Sequence, residues 1–517
     1  MENPAFNLVR QILRSANFLA LTIDQQQAIL NNILTTGEIS QQDLVRIIGE
    51  EDLKLKQQDE TKALALNLER LDYNTFLTIV LSGNIRGEKL LALCSGSPKL
   101  NEFCNRSFQL SNNQGIPAGP PQSQYLFRLL LDKRGISIPP DKTPRKVYIE
   151  KSIGGKVLGF GSNYAGELGI GENITYKAIP IEIPDFDNII RVSCGYHNSL
   201  FIDSEEKVWR FGSTADHIHN FSPAQIDFKV KIIQIAAGTS HSLFLDDQNR
   251  VWSFGNNSNG QLGLSDNKER TLPVLISNLK DITQISAKGK LYMTDDSHSL
   301  CLDKQGRVWG FGSNRNGQLG IDISKINHPI LIPNLSDIVE ISTGGGYSLC
   351  LDSRCKVWAF GDAYNGRLGL GLDIGLNNDK GRFITIPTLI PNLNDVIQIA
   401  AGYNHSLCLD KYGLVWSFGY GKNGELGLID KEDKLIPTLI PNLVNIIQVN
   451  CGNEFSICLD GHKRIWGFGR NRQGQLGMTE EEQFNISIYG PVMNPYLTNI
   501  ISVSCGALHT LCIKNEL

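Results

Sequence analysis

One five-residue phrase recurs seven times in this chain and narrows the folds open to it more than any other feature. It reads VLGFG at 157–161, VWRFG at 208–212, VWSFG at 251–255, VWGFG at 308–312, VWAFG at 357–361, VWSFG at 415–419 and IWGFG at 465–469. All six tryptophans of the protein, Trp209, Trp252, Trp309, Trp358, Trp416 and Trp466, hold its second position, and Leu158 stands in for them in the first copy. Self-similarity at a fixed period is the mark of a repeat architecture.

Most copies are followed by a turn phrase of the general form GxNxxGxLG, absent from the second unit (GSTADHIHN). A proline opening a short apolar run comes next (Pro180, Pro223, Pro273, Pro329, Pro387, Pro437, Pro491), then a run such as IIQIAAG, then SLCLD or a variant. Each unit thus holds four short apolar runs separated by Gly, Pro, Asn and Asp, which reads as four antiparallel strands joined by turns. The phrase-ending glycines lie 43 to 58 residues apart. Four strands per period of about 50 residues read as a propeller blade.

Within the phrase, Trp and Phe are two apart and share one side of the strand, while the residue between them is mostly small: Gly159, Arg210, Ser253, Gly310, Ala359, Ser417, Gly467. A large face meeting a small face is what blade-on-blade stacking requires. Burying each aromatic contributes roughly 1.5 to 3 kcal/mol, and truncating a tryptophan to Ala is expected to cost about 3 to 5 kcal/mol. The array opens on the tryptophan-type strand and ends on ISVSCGALHTLCI at 501–513, so each end supplies half of a missing unit. The expectation is a seven-bladed all-β propeller at 147–517, closed by two strands from each end, which leaves no open edge between blades.

The VWxFGxNxxGQLG phrase, with its proline, IxxIxxG run and HSLxLD, resembles the repeat of the regulator of chromosome condensation family. The resemblance covers about 157–513 and implies the seven-bladed ring of that family. It also implies one candidate activity, guanine-nucleotide exchange on a Ran-like small GTPase, although no exchange residue can be carried over.

The chain before the ring has a different texture. Residues 1–68 show apolar positions at helical spacing (Leu8, Ile12, Leu13; Ala28, Ile29, Ile33, Leu34; Leu44, Val45, Ile47, Ile48), with Ser40 placed to cap the third helix. Residues 69–146 hold a second helical cluster and a Gly/Pro-rich joint, giving a smaller N-terminal all-α domain. Part of this segment resembles a diverged F-box through Phe76, Ile79, Leu90, Leu91 and Leu93, with Cys94 and Cys104 nearby. That resemblance implies docking to a Skp-type adaptor; the rival reading is a plain helical domain.

Lys plus Arg total 49 and Asp plus Glu 53, a net charge of −4, so no electrostatic excess favours nucleic acid or an anionic membrane. No apolar run reaches the roughly 18 to 20 residues of a bilayer span. Arg10, Gln11, Arg14, Ser15 and Asn17 interrupt the N-terminal apolar stretch, so no secretion signal is read. Eleven cysteines, none in a CxxC pair, mostly fall within strand-like runs, which fits a reducing intracellular compartment, cytoplasmic or nuclear.

No constellation announces catalysis. Histidine recurs at the HSL position as His241, His298, His405 and His509, with Asn198, Tyr347 and Phe455 in its place elsewhere. A residue copied around a ring is expected to hydrogen-bond within its blade rather than to catalyse. The adjacent Ser and Asp do not converge into a triad. His217 and His219 lack companion ligands for a metal, and the glycine-rich turn lacks the Lys-Ser of a phosphate loop. No cofactor, metal or catalytic residue is expected, and the chain reads as a non-enzymatic monomer.

A partner binds where the symmetry of the ring is broken. Two insertions break it: SAKGKLYMTDDS at 286–297, between the first and second strands of one blade, and GLDIGLNNDKGRFI at 371–384, between the third and fourth strands of the next. Both loop types emerge on one rim. Lys288, Lys290, Tyr292, Lys380, Arg382 and Phe383 supply the basic and aromatic character of a binding surface; the alternative is that both are merely tolerated loops. The function expected is a protein-interaction scaffold that recruits a protein client, acting as a substrate adaptor of a cullin-type ubiquitin ligase, with nucleotide exchange as the alternative.

Overall fold

The computed structural model describes residues 154–213, 219–289, 296–371, 382–478 and 487–515. They form seven four-stranded antiparallel sheets. Six blades are continuous in sequence: blade 1 at 189–226, blade 2 at 232–275, blade 3 at 282–331, blade 4 at 338–389, blade 5 at 396–439 and blade 6 at 446–493. The seventh joins Ile500–Cys505 and His509–Lys514 to Lys156–Ser162 and Tyr176–Glu182, with Val157 opposite Ile513 and Leu158 opposite Cys512. The ring closes as the repeat order requires.

In each blade the IIQIAAG-type run is the innermost strand, SLCLD the second, VWxFG the third and the proline run the outermost. The proline lies within its strand, at a register shift: Gly310 pairs with Ile330 and Gly312 with Ile326, leaving Pro329 in the bulge. The same shift surrounds Pro387 and Pro437. Proline has no N–H to offer a further strand, and a bulge twists the ladder away, so the exposed outer edges are protected against pairing with other chains.

The core lies between blades. One cluster joins Leu300, Leu302 and Val308 of blade 3 to Cys350 and Phe360 of blade 4, with Trp358 packed at its margin. Phe160, Phe311, Phe360, Phe418 and Phe468 have no exposed surface, whereas each tryptophan of the repeat is only half-buried. Phenylalanine is therefore the principal wedge. The indole has a second task, since Nε1 donates to the aspartate six residues before it, at 2.8 Å in Trp209–Asp203 and 3.0 Å in Trp309–Asp303.

The phrase-ending glycine is dictated by backbone. Gly312 has φ +110°, and a Cβ there would stand 2.7 Å from the Ser297 carbonyl oxygen. No helix among the described residues is long and apolar enough to cross a membrane. The helical expectations for 1–146, including Phe76, Ile79, Leu90, Leu91 and Leu93, lie outside the described residues.

Candidate interaction rim and central channel

Two sets of repeated side chains and one set of backbone hydrogen bonds hold neighbouring blades together. The histidines form the first. His241 Nε2 meets Ser299 Oγ, His298 meets Ser348, His405 meets Ser456 and His509 meets Ser199, each at 2.9 Å. The expectation of bonds within a blade is corrected: every one of these crosses to the next blade. The reason is that the serine hydroxyl is committed to a turn carbonyl of the preceding blade, as Ser299 is to Gln261 and Ser456 to Glu425, and so receives the imidazole N–H. Burial lowers His298 and His405 to about 3 and His509 to about 4, so the rings are neutral. A neutral, hydrogen-bonded, buried imidazole is structural.

The second set lines the inner strands. Gln284 accepts from Ile341 N at 2.9 Å and donates to Ile341 O at 3.4 Å, and Gln234, Gln398 and Gln448 treat Ile285, Val449 and Val503 in the same way. These side chains satisfy the free edge of the adjacent innermost strand. In blade 4 the position is Glu340, which accepts from Ile399 N at 3.3 Å; burial raises its carboxyl to about 8. A protonated carboxyl is the nearest match to the glutamine amide.

The third set is a chain of backbone bonds between the loops that join first and second strands. Tyr196 N donates to Gly238 O, Gly345 N to Gly402 O, Tyr403 N to Gly452 O, Asn453 N to Ala507 O and Ala507 N to Gly195 O. Among the described residues the chain is interrupted on both sides of blade 3. There Lys288 takes the place of the glycine found in the other six inner runs (Gly195, Gly238, Gly344, Gly402, Gly452, Gly506). Those glycines leave room for the neighbouring ring: a Cβ at Gly402 would lie 2.5 Å from His405 Cε1.

The rim residues anticipated from the insertions separate into distinct environments. Lys290, Tyr292 and Lys380 lie outside the described residues. Lys288 is the last residue of Ile282–Lys288, and its ammonium donates to Ala401 O and Cys451 O, each at 2.9 Å. It crosses the channel toward blades 5 and 6 instead of facing outward on an insertion loop, because the end of an innermost strand leaves its stem along the channel wall. Arg382 clamps Asp362 with Nε to Oδ1 at 3.0 Å and Nη2 to Oδ2 at 3.1 Å, and its guanidinium stands 5.1 Å from the Tyr364 ring. Phe383 follows it at 38% exposure.

Beneath them is a residue the sequence reading missed. Arg367 is 2% exposed, donates to Gly345 O and Tyr364 O, and lies 3.5 Å from Asp362. Burial works against ionisation of Asp362, but the fields of Arg367 and Arg382 and the Arg382 hydrogen bond outweigh it and hold the carboxyl below its ordinary range. The signal was present: Arg367 occupies the turn-phrase position that is Glu167, Gln261, Gln318, Glu425 or Gln475 elsewhere. Two arginines on one aspartate, under a tyrosine and an exposed phenylalanine, distinguish this sector from the rest of the rim.

Among the described residues no group of three or more His, Cys, Asp or Glu side chains is arranged to hold a metal. The nine cysteines among the described residues are free, and burial pushes Cys194 and Cys451 up to about 12, far from a reactive thiolate.

A seven-bladed β-propeller whose repeated polar residues stitch blades together, and which departs from its repeat at Lys288 in the channel and at the Arg367–Asp362–Arg382 cluster of blade 4, is thus the class of molecule defined here. The chain belongs to the RCC1-like domain family, whose model matches residues 215–516, and the RCC1 repeat model matches 154–202. Similar curated proteins include Regulator of chromosome condensation of Homo sapiens, 27% identical over 33% of this chain and 38% of that protein. Protein pim1 of Schizosaccharomyces pombe is 31% identical over 26% of this chain and 28% of its own length. Probable E3 ubiquitin-protein ligase HERC6 of Homo sapiens is 31% identical over 32% and 17%. The aligned parts are well under half of these relatives' lengths. Among solved structures, Prp20p of Saccharomyces cerevisiae superposes with a TM-score of 0.62 at 22% identity over 71% of this chain and 93% of that one. Human WBSCR16 gives 0.60 at 20% over 70% and 100%. At these identities the likeness is one of fold.

Proposed function

We propose that this protein is a non-catalytic interaction scaffold whose rim at blades 3 and 4 receives a protein client. The observation that carries the reading is the Arg382–Asp362 clamp of blade 4, braced by the buried Arg367 and flanked by Tyr364 and the exposed Phe383, a basic and aromatic patch held in place. Rigid anchors of this kind limit the entropy lost on binding. The repeated histidines and serines are consumed in holding blades, which leaves the rim as the place where this chain differs from its own repeats.

In the fuller form of this reading, the segment 69–146 docks a Skp-type adaptor and the ring presents the client to a cullin-type ubiquitin ligase inside the cell, in cytoplasm or nucleus. Probable ubiquitin ligases among the relatives support pairing such a ring with ligase machinery. The second reading is nucleotide exchange on a Ran-like small GTPase, favoured by similarity to regulators of chromosome condensation and to Prp20p, whose structure is described together with its binding to Gsp1p and histones. Exchange needs a nucleotide-displacing surface and no covalent chemistry.

The test is recovery of purified Skp adaptor by the full chain, compared with Leu90→Asp/Leu91→Asp in the full chain. Loss of recovery in the variant supports the adaptor reading, and no recovery by either ends it. Faster nucleotide release from a Ran-type GTPase, abolished by Arg382→Glu, supports the exchange reading instead.

A further inference from the structure

At six of the seven seams between blades, the turn phrase of the preceding blade seals the joint. Its leucine enters the seam: Leu168 packs with Phe211, Leu319 with Phe360, Leu368 with Phe418 and Leu476 with Phe160, each phenylalanine coming from the next blade. Its seventh residue offers a carbonyl to the hydroxyl that begins the next SLCLD run. Ser199 donates to Glu167, Ser299 to Gln261, Ser348 to Gln318, Ser406 to Arg367 and Ser456 to Glu425, all at 2.8 Å, and Thr510 donates to Gln475 at 2.9 Å. The closing glycine of the phrase comes against the phenylalanine ring, since a Cβ at Gly169 would stand 2.2 Å from Phe211 Cδ1.

The seam between blades 1 and 2 has no such turn. In blade 1 the eighth and ninth positions of the phrase, leucine and glycine elsewhere, are His219 and Asn220, which pair with Ser213 and Gly212 as part of the outermost strand. Asn198 also replaces the histidine that reaches the next serine, and its amide donates to Gly238 O at 3.4 Å. Ser242, paired opposite Phe254, makes no side-chain hydrogen bond among the described residues. It is 5% exposed, where its five serine counterparts and Thr510 have no exposed surface. Phe254 is 7% exposed, against at most 2% for the other six phenylalanines of the repeat. Arg210 stands where most copies of the phrase have a small residue, and its guanidinium lies 5.7 Å from the Phe254 ring. A cavity of about 20 Å³ remains beside them, lined by Arg210, Phe211, Ser242 and Phe254, room for a single water.

We propose that the seam of blades 1 and 2 is a docking seat for a turn supplied by a partner protein, one that presents a leucine followed by glycine. The guest is defined by the six turns that fill the equivalent seats within this same ring. Its leucine replaces Arg210 over Phe254, and the carbonyl before that leucine accepts from Ser242 Oγ. Glycine follows because the phenylalanine ring leaves no room for a Cβ. Arg210 has a long, flexible stem and is only half-buried, so it is the cover that the guest lifts. One buried leucine and one hydrogen bond make a weak, reversible contact. The seat goes beyond the rim reading, lies on different blades from the Arg382–Asp362 clamp, and stands whether or not that clamp meets a client.

The test is isothermal titration of the full chain with the acetylated, amidated peptide of residues 255–263, GNNSNGQLG. Saturable binding is expected, weakened by about threefold or more in Ser242→Ala and lost with the peptide carrying Leu262→Asp. Arg210→Gly, which restores the residue found at Gly159 and Gly310, should tighten binding by about fivefold or more. Arg382→Glu should leave the titration unchanged, which separates this seat from the rim. No saturable binding by the unsubstituted chain, equal affinity for the Leu262→Asp peptide, or undiminished binding by Ser242→Ala overturns the proposal. Weaker binding by folded Arg210→Gly, or loss of binding in Arg382→Glu, overturns it as well. Should Arg210→Gly not fold, the two peptides and Ser242→Ala decide by the outcomes already given.

Discussion

Trp309 Nε1 donates to Asp303 Oδ2 at 3.0 Å, and the same carboxylate accepts from the Arg307 guanidinium at 2.7 Å while Oδ1 takes the Gln305 and Arg307 backbone N–H groups. One side chain closes the hairpin between second and third strands and orients the indole. The pair recurs in all six blades whose hairpin is continuous. In the closing blade the repeat array begins and ends where that turn would be, and both partners are gone together: Leu158 stands for the tryptophan and Lys514 for the aspartate.

Asp303→Ala should therefore cost more than one hydrogen bond, about 2 to 4 kcal/mol, because it orphans two backbone N–H groups and the indole at once. Urea unfolding of Asp303→Ala, Trp309→Phe and the double variant checks this. A coupling of about 0.5 to 3 kcal/mol is expected, and strict additivity would separate the indole from the turn.

The two aromatics of the repeat should differ in their contribution. Phe360 is fully buried between blades 3 and 4 and Trp358 half-buried beside it. Phe360→Ala is expected to cost about 3 to 5 kcal/mol, with Trp358→Ala below it and Trp358→Phe about 1 kcal/mol. Thermal unfolding of the three variants gives the order.

Acid should weaken the ring through its histidines. Burial holds His298 and His405 near 3 and His509 near 4, below the unfolded value of 6.5. A base whose pKa is depressed on folding contributes stability that is present above its unfolded pKa and is lost as pH falls toward the folded one. Stability should decline from about pH 6.5 downward, and His298→Phe, which imitates Phe455, should flatten the slope. A slope unchanged in that variant would mean that other groups dominate.

Glu340 works in the opposite direction. Its carboxyl is raised from 4.5 to about 8 by burial, against the Ile399 N–H bond; the Cys408 thiol is the other titratable group coupled to it. Stability is full below pH 4.5 and is lost as pH rises through 8. Glu340→Gln, which restores the amide of the other blades, should stabilise the protein at pH 8.5 by an amount on the order of 1 to 3 kcal/mol and have little effect at pH 5. Equal effects at both pH values would contradict a protonated Glu340.

The blade count, the order of strands and the mode of closure were legible because every copy repeats the same alternation, so errors in one unit are corrected by six others. Contacts between units were less legible. The His298–Ser348 bond joins residues of identical type in successive repeats, and a repeat read alone cannot say whether its histidine turns inward or to its neighbour. The candidate site was legible only as insertions. Lys288 has the polarity of a loop residue although it ends an inner strand, where the other six runs have glycine, and Arg367 sits in a glycine-rich turn phrase whose spacing gives no sign of burial.

Closure of the ring is tested most directly by amide hydrogen exchange of the intact protein at Lys156–Ser162 and His509–Lys514, the two strands that join the ends of the array. The account predicts protection equal to that of His298–Asp303 and Val308–Ser313 within a continuous blade. Exchange at the rate of open loops in either segment, with the other blades protected, would contradict a closed seven-bladed circle.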